Sequence, residues 1–319
     1  MLFAYRAIDT KLEKLPPGAP LEDAVWIDLY RPLDAQVQAV EGMGIEVPTL
    51  ADMEEIEISN RLYRENGVDY MTVVLPGMSE SNVPNSGPVT FIMTADRLFT
   101  VRHHAPRPFT TYPERANRVG PGFTDSAKLF LSLLEEVTGR LADLLEGSGR
   151  ALDALAHEVY SETGTTDATQ LQSALRRTGR EGEQIARVRL SLLTIERAVS
   201  YFGQSLTSEH RGNALKNPVK GLMRDLHALE VHADHLSARV ALASDSTMGM
   251  INLSQNQTIK IVSIVAVVFL PPTVIASAYG MNFEGMPELK WALGYPMALG
   301  MMLASAVGTY LFFKWRRWL

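Results

Sequence analysis

A row of residues near the C-terminus recurs at helical multiples: Asn256, Ile259, Val262, Thr273 and Ser277. Its later members lie in residues 261–283, a run without a charged residue in which Pro271 precedes Pro272. The two prolines remove two backbone donors and free carbonyl oxygens one turn earlier. In lipid, such groups must be paired or face a wet cavity. The row therefore predicts a wet helix face, or alternatively hydroxyl groups that bond back to their own helix.

Other signals for chemistry are poor. The chain has no cysteine, which excludes disulfides and thiolate metal sites, and it contains no phosphate-cradling glycine loop, nucleophile elbow or His-Glu-x-x-His motif. His227, His232 and His235 fall near Asp234 on a predicted helix, where a transition-metal site and solvated histidines are both open. A net charge of −6 argues against non-specific nucleic-acid binding. We expect neither an enzyme nor a nucleic-acid partner.

Two uncharged runs, residues 261–283 and 291–313, are each long enough to cross a bilayer as a helix. The short loop 284–290 makes them an antiparallel hairpin. Basic residues flank the hairpin and the loop is acidic, so both termini are expected in the cytoplasm of a multi-pass cell (inner or plasma) membrane protein. The N-terminus does not read as a signal peptide. Interface aromatics agree with this orientation: Tyr279 and Trp291 outside, and Tyr310, Trp315 and Trp318 inside.

The rest of the chain must position this hairpin. We predict an α/β N-terminal cytoplasmic domain, long stalk helices and two C-terminal transmembrane helices, with strands at 2–8, 24–29, 70–75, 88–93 and 97–102 and short helices at 33–43 and 48–55. Residues 79–88 are predicted to be a loop. Long helices follow from Thr124 or Asp125 to Tyr160, to about Leu206, and from Pro218 to Tyr279. A helix that enters the bilayer from the cytoplasm can transmit a movement to the membrane segment.

The corresponding segments are an α/β domain (1–105), long helices (106–217), a stalk and first membrane helix (218–283), an external loop (284–290), a second membrane helix (291–313) and a basic cytoplasmic tail (314–319).

The stretch YGMNFEGMPEL follows a span containing FLPPT and precedes a span ending in KWRRWL. In this context it resembles the CorA family of magnesium transport proteins. MLFAYRAIDTKLEKL at the start, DAVWIDLYRP and DRLFTVR are similar to the N-terminal domain of bacterial members. The resemblance is strongest after Met248 and weakest over residues 161–217.

The resemblance implies a funnel-shaped homopentamer in which the first span of each copy lines one pore. A single hairpin cannot enclose a channel, which independently requires self-association. By the family pattern Gly280, Met281 and Asn282 form the outer mouth, Thr273 and Asn256 are polar pore positions, and Ile259, Val262 and Leu270 are apolar constrictions. Ser277 stands where the family often has glycine. Lys314, Arg316 and Arg317 match the basic ring.

The transported ion is expected to be Mg2+, with Co2+ and Ni2+ as further cargo, and no organic cofactor is expected. Internal Mg2+ held by carboxylates between subunits closes family channels; the candidates here are Asp225, Glu230, Asp234, Glu54, Glu55 and Glu57, for each of which a plain solvated role stays open.

Mg2+ gives up water reluctantly, so a selective mouth is expected to hold the hydrated ion. Asn282 carboxamides and Gly280 carbonyls can accept hydrogen bonds from its water shell, and their neutrality permits release. Glu284 and Glu288 concentrate cations at the entrance, while Val262 and Leu270 close the path by dewetting. Two other functions stay open: a zinc transporter of the same superfamily, with or without proton coupling, and a membrane-anchored scaffold or sensor without transport.

Overall fold

The computed structural model describes all residues except 10, 161–167, 209–211, 282–285, 288–290, 292 and 317–319. It divides into two compact units. Unit 1 comprises Met1–Tyr160 and Arg176–Ser244, and unit 2 comprises Ser161–Leu175 and Asp245–Leu319.

The described residues form strands β1 (Leu2–Ile8), β2 (Lys11–Lys14), β3 (Trp26–Tyr30), β4 (Leu62–Glu65), β5 (Val68–Met78), β6 (Pro84–Met93) and β7 (Leu98–Arg102). The helices are α1 (Asp34–Glu41), α2 (Leu50–Glu54), α3 (Ile58–Arg61), α4 (Pro108–Arg115), α5 (Ser126–Tyr160), α6 (Ala168–Ser208), α7 (Gly212–Tyr279) and α8 (Gly294–Trp315). A short 3-10 turn covers Leu21–Asp23. The predicted class, an α/β domain followed by long helices and two apolar C-terminal helices, is confirmed.

The strands form one sheet in the order β2-β1-β3-β7-β6-β5-β4. Only the β3–β7 pair among these is parallel, with Trp26 opposite Leu98 and Tyr30 opposite Arg102. The five predicted strands all occur, while β2 and β4 were missed. Both are four-residue edge strands, and edge strands bury too few side chains to produce a clear apolar alternation.

The core of unit 1 joins the sheet to its helices through aromatic side chains. The ring of Phe91 in β6 meets Phe130 of α5 edge-on at 5.3 Å between centroids, and Phe130 meets Phe202 of α6 at 5.1 Å. Trp26 is fully buried and donates its indole N–H to the hydroxyl of Thr100 at 3.0 Å. Such contacts combine large apolar burial with a defined geometry.

Predicted and observed boundaries differ at several elements, among them β6, α7 and α8. Residues 84–87 belong to β6 and pair with Leu75–Met78, so only the first part of the predicted 79–88 loop is a loop. The last long helix begins at Gly212 rather than Pro218, and the helix of the second apolar run begins at Gly294 rather than at 291. The start of α5 agrees with prediction, because an Asp125 carboxylate oxygen accepts from the Lys128 backbone N–H at 2.9 Å.

Candidate ion pathway

Two helices, Ala214–Tyr279 and Gly294–Trp315, contain stretches that are long and apolar enough to cross a membrane. In unit 2, the better-covered positions of the first apolar stretch recur at helical spacing: Ile264, Val268, Pro271, Pro272, Ile275, Ala278 and Tyr279. Those of α8 do the same: Gly294, Met297, Ala298, Met301, Met302, Ser305, Ala306, Thr309 and Phe313. We infer that the two helices pack along these stripes, which we call the packed faces.

The predicted pore residues that the structure describes lie on another face. At about 100° per residue, the following positions fall within an arc of about 120°: Asn256, Ile259, Val262, Leu270, Thr273, Ser277 and Gly280. We call this arc the open stripe; its centre is about 160° around the helix from the centre of the packed face. All seven residues are exposed within the single chain, with Ile259 and Val262 each 63% accessible and Leu270 61%.

The paired prolines lie inside continuous helix, and a hydroxyl group bonds to the carbonyls nearby. Pro271 and Pro272 have no N–H to offer the carbonyls of Val267 and Val268. The Thr273 hydroxyl is 2.8 Å from the carbonyl oxygens of both Phe269 and Leu270. The alternative of back-bonding is thus confirmed for Thr273: its proton goes to its own helix, and its oxygen lone pairs stay on the open stripe.

Gly280 follows the last residue of α7 and closes the helix with ordinary backbone bonds. Its N–H donates to the Ala276 carbonyl at 2.9 Å, and the Met281 N–H donates to Ala278 at 3.4 Å. An added Cβ at Gly280 would approach the Ala276 oxygen to 3.1 Å, so a side chain at this position would crowd the preceding turn. Asn282, Glu284 and Glu288 lie outside the described residues.

At the end of α8, Lys314 and Arg316 are both exposed. The Arg316 N–H donates to the Phe312 carbonyl at 3.0 Å, and its guanidinium carbon lies 6.0 Å from the centre of the Trp315 ring. Among the described residues neither cation is paired with a carboxylate, although both lie at the end of an apolar helix. Arg317 lies outside the described residues.

The three candidate regulatory carboxylates of α7 have different surroundings. Asp225 lines a cavity of about 810 Å³ together with Glu135, and burial, followed by the charge of Asp225, raises the pKa of Glu135. Glu230 is half-buried, and burial followed by Glu196 raises its pKa. Asp234 pairs with Arg189 of α6 at 2.8 Å.

Glu135 was missed by the sequence reasoning because only the fold brings α5 beside α7.

The carboxylates of Glu54, Glu55 and Glu57 are exposed. Glu55 is the most constrained of them, since its carboxylate accepts from the Asn60 amide and its carbonyl accepts from Arg61 at 2.5 Å. His232 and His235 have ring centres 6.5 Å apart. Among the described residues no three His, Asp or Glu side chains are grouped to hold a metal ion. A single copy thus does not assemble the six candidates or the histidines into a site.

Comparison with known proteins adds independent information. A family model described as CorA-like Mg2+ transporter protein matches residues 22–316. The magnesium transport protein CorA of Haemophilus ducreyi is 33% identical, with full coverage of both chains. The CorA magnesium transporter of Methanocaldococcus jannaschii shares the fold, with a TM-score of 0.67 at 18% identity over 100% of this chain and 99% of that one. The ZntB cytoplasmic domain of Vibrio parahaemolyticus matches 78% of this chain and 97% of its own, with a TM-score of 0.57 at 11% identity.

Proposed function

The chain belongs to the family of CorA-like Mg2+ transporter proteins, and we propose on this premise that it forms a homopentameric channel for hydrated divalent cations in the cell (inner or plasma) membrane. The channel admits Mg2+, and Co2+ and Ni2+ as further cargo, into the cytoplasm. Both termini and the α/β domain lie on the cytoplasmic side. The protein is a transporter and not an enzyme.

The observation that carries the proposal is the position of the open stripe. It contains Asn256, Thr273 and Ser277 beside apolar residues, and it lies on the side of the helix away from the better-covered positions. Polar groups on a membrane helix are costly against lipid and are found where they face protein or water. One hairpin cannot enclose water, so copies of the same chain must cover the stripe. Placing five stripes around one axis gives a pore lined by neutral polar groups and by apolar rings.

The outer mouth selects Mg2+ by holding its water shell. Mg2+ demands octahedral oxygen ligands and dehydrates reluctantly, so a site that stripped it would have to replace six strong bonds. A ring of Asn282 carboxamides above the Gly280 carbonyls instead accepts hydrogen bonds from the bound waters. Neutral oxygens bind weakly enough to release the ion, as conduction requires. Met281 completes the mouth, and Glu284 and Glu288 raise the local cation concentration.

Below the mouth, rings of Leu270, Val262 and Ile259 form the constrictions. Their side chains are exposed in the single chain, so in a ring they face one another across the axis. A narrow apolar ring expels water and blocks a hydrated ion, and a small outward movement of the helices rewets it. Lys314, Arg316 and Arg317 ring the cytoplasmic end and are neutralised by lipid phosphates or carboxylates of neighbouring copies.

Internal Mg2+ closes the channel by bridging carboxylates of adjacent copies. The candidate ligands are Asp225, Glu230 and Asp234 on α7 and Glu54, Glu55 and Glu57 in the N-terminal part of unit 1. The exposure of Asp225 supports this role. The pKa of neighbouring Glu135 is raised by burial and, to a smaller extent, by the charge of Asp225, and a cation would relieve that second contribution. A site whose ligands come from two adjacent copies binds internal Mg2+ and, by the same contacts, sets the distance between the two subunits.

A zinc pathway is less well supported. Zn2+ favours nitrogen and sulfur ligands, whereas no histidine follows His235 and the chain has no cysteine. A membrane-anchored scaffold or sensor that does not transport ions would have no need for polar residues on the open stripe.

The proposal is tested by Mg2+ uptake into liposomes that carry the purified protein and an internal Mg2+ indicator. Wild type is expected to conduct, and Asn282→Ala to abolish uptake because the mouth loses its carboxamide ring. Asn117→Ala, the same substitution at an exposed position of unit 1, is the matched control and is expected to conduct like wild type. Wild-type flux through Asn282→Ala would contradict the assignment. Uptake that depends on an imposed pH gradient would indicate a proton-coupled carrier.

A further inference from the structure

A second cavity, of about 800 Å³, lies within unit 1. Its walls come from the end of the β5–β6 hairpin, the segment between β7 and α4, and the facing sides of α5 and α6. This volume is in the range of pockets that bind metabolites and cofactors. The cavity is remote in the chain from the open stripe, and the transport mechanism does not use it.

Four arginines line this cavity: Arg107, Arg140, Arg180 and Arg187. Two glutamates, Glu181 and Glu183, accompany them. Arg187 is ion-paired with Glu183 and also donates to the Pro84 carbonyl at 2.9 Å, so it is held in place. Arg140 lies 3.8 Å from Asp143, a long separation for an ion pair. The lining therefore carries an excess of guanidinium groups, whose planar forks match phosphate oxygens.

The end of the β5–β6 hairpin beside the cavity carries buried polar atoms without partners among the described residues. The Asn85 side-chain oxygen is one of them, and Asn85 itself lines the cavity. Close to this wall, the Ser86 hydroxyl and the His104 Nδ1 are also buried without a partner in the described part of the chain, although neither residue lines the cavity. A buried polar atom without a partner costs free energy, and such groups in native structures commonly mark a place for water or a ligand.

His104 fixes the shape of this wall. Its ring lies against Gly77 and Gly87, where an added Cβ would come within 2.6 Å and 2.9 Å of ring atoms. Its Nε2 is 2.8 Å from the Leu75 carbonyl, so Nε2 carries the proton of the neutral ring and Nδ1 is a bare acceptor. Burial, which is the larger cause, lowers the pKa of His104 to about 4, so the ring stays neutral at neutral pH. His104 thus holds the hairpin in place behind the wall, where Asn85 supplies an acceptor and the arginines supply donors.

The remaining lining is apolar and includes Pro76, Met78, Val83, Leu144 and Val188. An apolar wall with a few fixed polar groups suits a flat heterocycle, and clustered arginines suit phosphates. Excess positive charge disfavours a bare metal cation. We propose that this arginine cleft binds a nucleoside phosphate, with its phosphates on the arginines and its base against the apolar wall beside Asn85. A bound nucleoside phosphate would contact the β5–β6 hairpin, α5 and α6 together, and unit 1 would then respond to a ligand other than Mg2+.

The test uses the purified full-length protein in detergent, with ATP, adenosine and tripolyphosphate as separate probes. Divalent cations are omitted so that chelation of Mg2+ by phosphates does not contribute. Titration calorimetry is expected to show saturable ATP binding, with adenosine and tripolyphosphate each weaker by about tenfold or more, because each makes only part of the contacts.

Two variants locate the site. Arg180→Glu and Arg107→Ala are each expected to weaken ATP binding by about tenfold to a hundredfold through loss of charge-assisted hydrogen bonds. Arg176→Glu alters an exposed arginine one turn earlier on α6, outside the lining, and is the matched control. No ATP binding to wild type, or equal binding by all three variants, would overturn the proposal. Tripolyphosphate binding as tightly as ATP would overturn its nucleoside part.

Discussion

A buried ion pair gives the most quantitative prediction for the N-terminal unit. Asp28 of β3 and Arg102 of β7 are 1% and 6% exposed, and the arginine Nη2 lies 2.7 Å from a carboxylate oxygen while Nε lies 3.0 Å from the other. Thr100 also donates to the carboxylate at 2.8 Å. The guanidinium lies over the rings of Tyr30 and Phe109, at 4.4 and 4.9 Å from their centres. The Asp28 carboxylate and the Arg102 guanidinium are thus hydrogen-bonded to each other, so removing either one leaves the other as an unpaired buried charge.

The single substitutions Asp28→Leu and Arg102→Met are each expected to lower the free energy of unfolding by about 3–5 kcal/mol. If the two effects were independent, the double variant would lose about 6–10 kcal/mol, which would unfold most domains. We expect the double variant to lose only about 1–4 kcal/mol, because no charge is then left buried. The remaining loss comes from the Thr100 hydroxyl and the His104 carbonyl, which lose their Asp28 and Arg102 partners. A methionine at 102 keeps a thioether against the two aromatic rings.

The assay is urea unfolding of the full-length protein in detergent, followed by tryptophan fluorescence. Trp26 is a suitable reporter because it is fully buried and its indole N–H donates to Thr100, which in turn donates to Asp28. A double variant that loses the sum of the two single losses would refute the reasoning, since the pair would then be uncoupled. A single variant with wild-type stability would refute it equally.

Three further predictions follow from particular residues. His104 has a pKa of about 4 in the folded chain and about 6.5 when exposed, so the unfolded chain binds more protons between these two pH values. The free energy of unfolding is therefore fully maintained above pH 6.5 and falls by about 3 kcal/mol as the pH drops to 4. The His104→Gln variant should lose this dependence when unfolding midpoints are measured against pH. Gly77→Ala should destabilise unit 1 by about 1–3 kcal/mol in urea unfolding, because its Cβ would lie 2.8 Å from backbone atoms of Ala105 and Pro106. Leu270→Asn should raise Mg2+ uptake into liposomes about tenfold at high internal Mg2+, because a polar ring does not dewet.

Each of these predictions has its own control. Gly179→Ala places a methyl group where nothing lies within 4 Å on an exposed part of α6, and it should stabilise the unit by about 0.5–1 kcal/mol. If Gly77→Ala had wild-type stability, the backbone at Ala105 and Pro106 would have moved away from the new methyl group without a cost in free energy. A pH profile of His104→Gln parallel to that of wild type would assign the acid sensitivity to other groups. Val265→Asn, outside the open stripe, should leave flux unchanged.

Local pattern was sufficient for most of the fold. The 2–8 strand matches β1, and the capped helix predicted to reach Tyr160 matches α5, because alternation and capping depend on neighbours in the chain. The beginning of β6 was taken for a loop because Pro84, Asn85 and Gly87 are typical of turns. Gly87 is required there by the ring of His104, seventeen positions on, and a contact of that kind has no local signature.

The candidate site divides in the same way. The open stripe could be recognised because helical spacing alone places Asn256, Thr273 and Ser277 on one face. The carboxylates proposed to be regulatory could not be ranked, since a charge on α7 looks the same in the sequence whether it pairs with Arg189, as Asp234 does, or lies near Glu135, as Asp225 does. Those partners come from helices far away in the chain. A site shared between copies is still harder to recognise in the sequence, because its ligands come from different chains.

A central pore requires the open stripe to meet its counterparts in other copies, and disulfide cross-linking measures this directly. The chain has no cysteine, so single substitutions report only their own position. Ser277→Cys lies on the open stripe, and Ile275→Cys lies two residues earlier on the packed face, about 160° around the helix. In membranes under mild oxidation, Ser277→Cys is expected to form covalent dimers and Ile275→Cys to stay monomeric. Dimers from Ile275→Cys with none from Ser277→Cys would contradict a pore lined by this stripe.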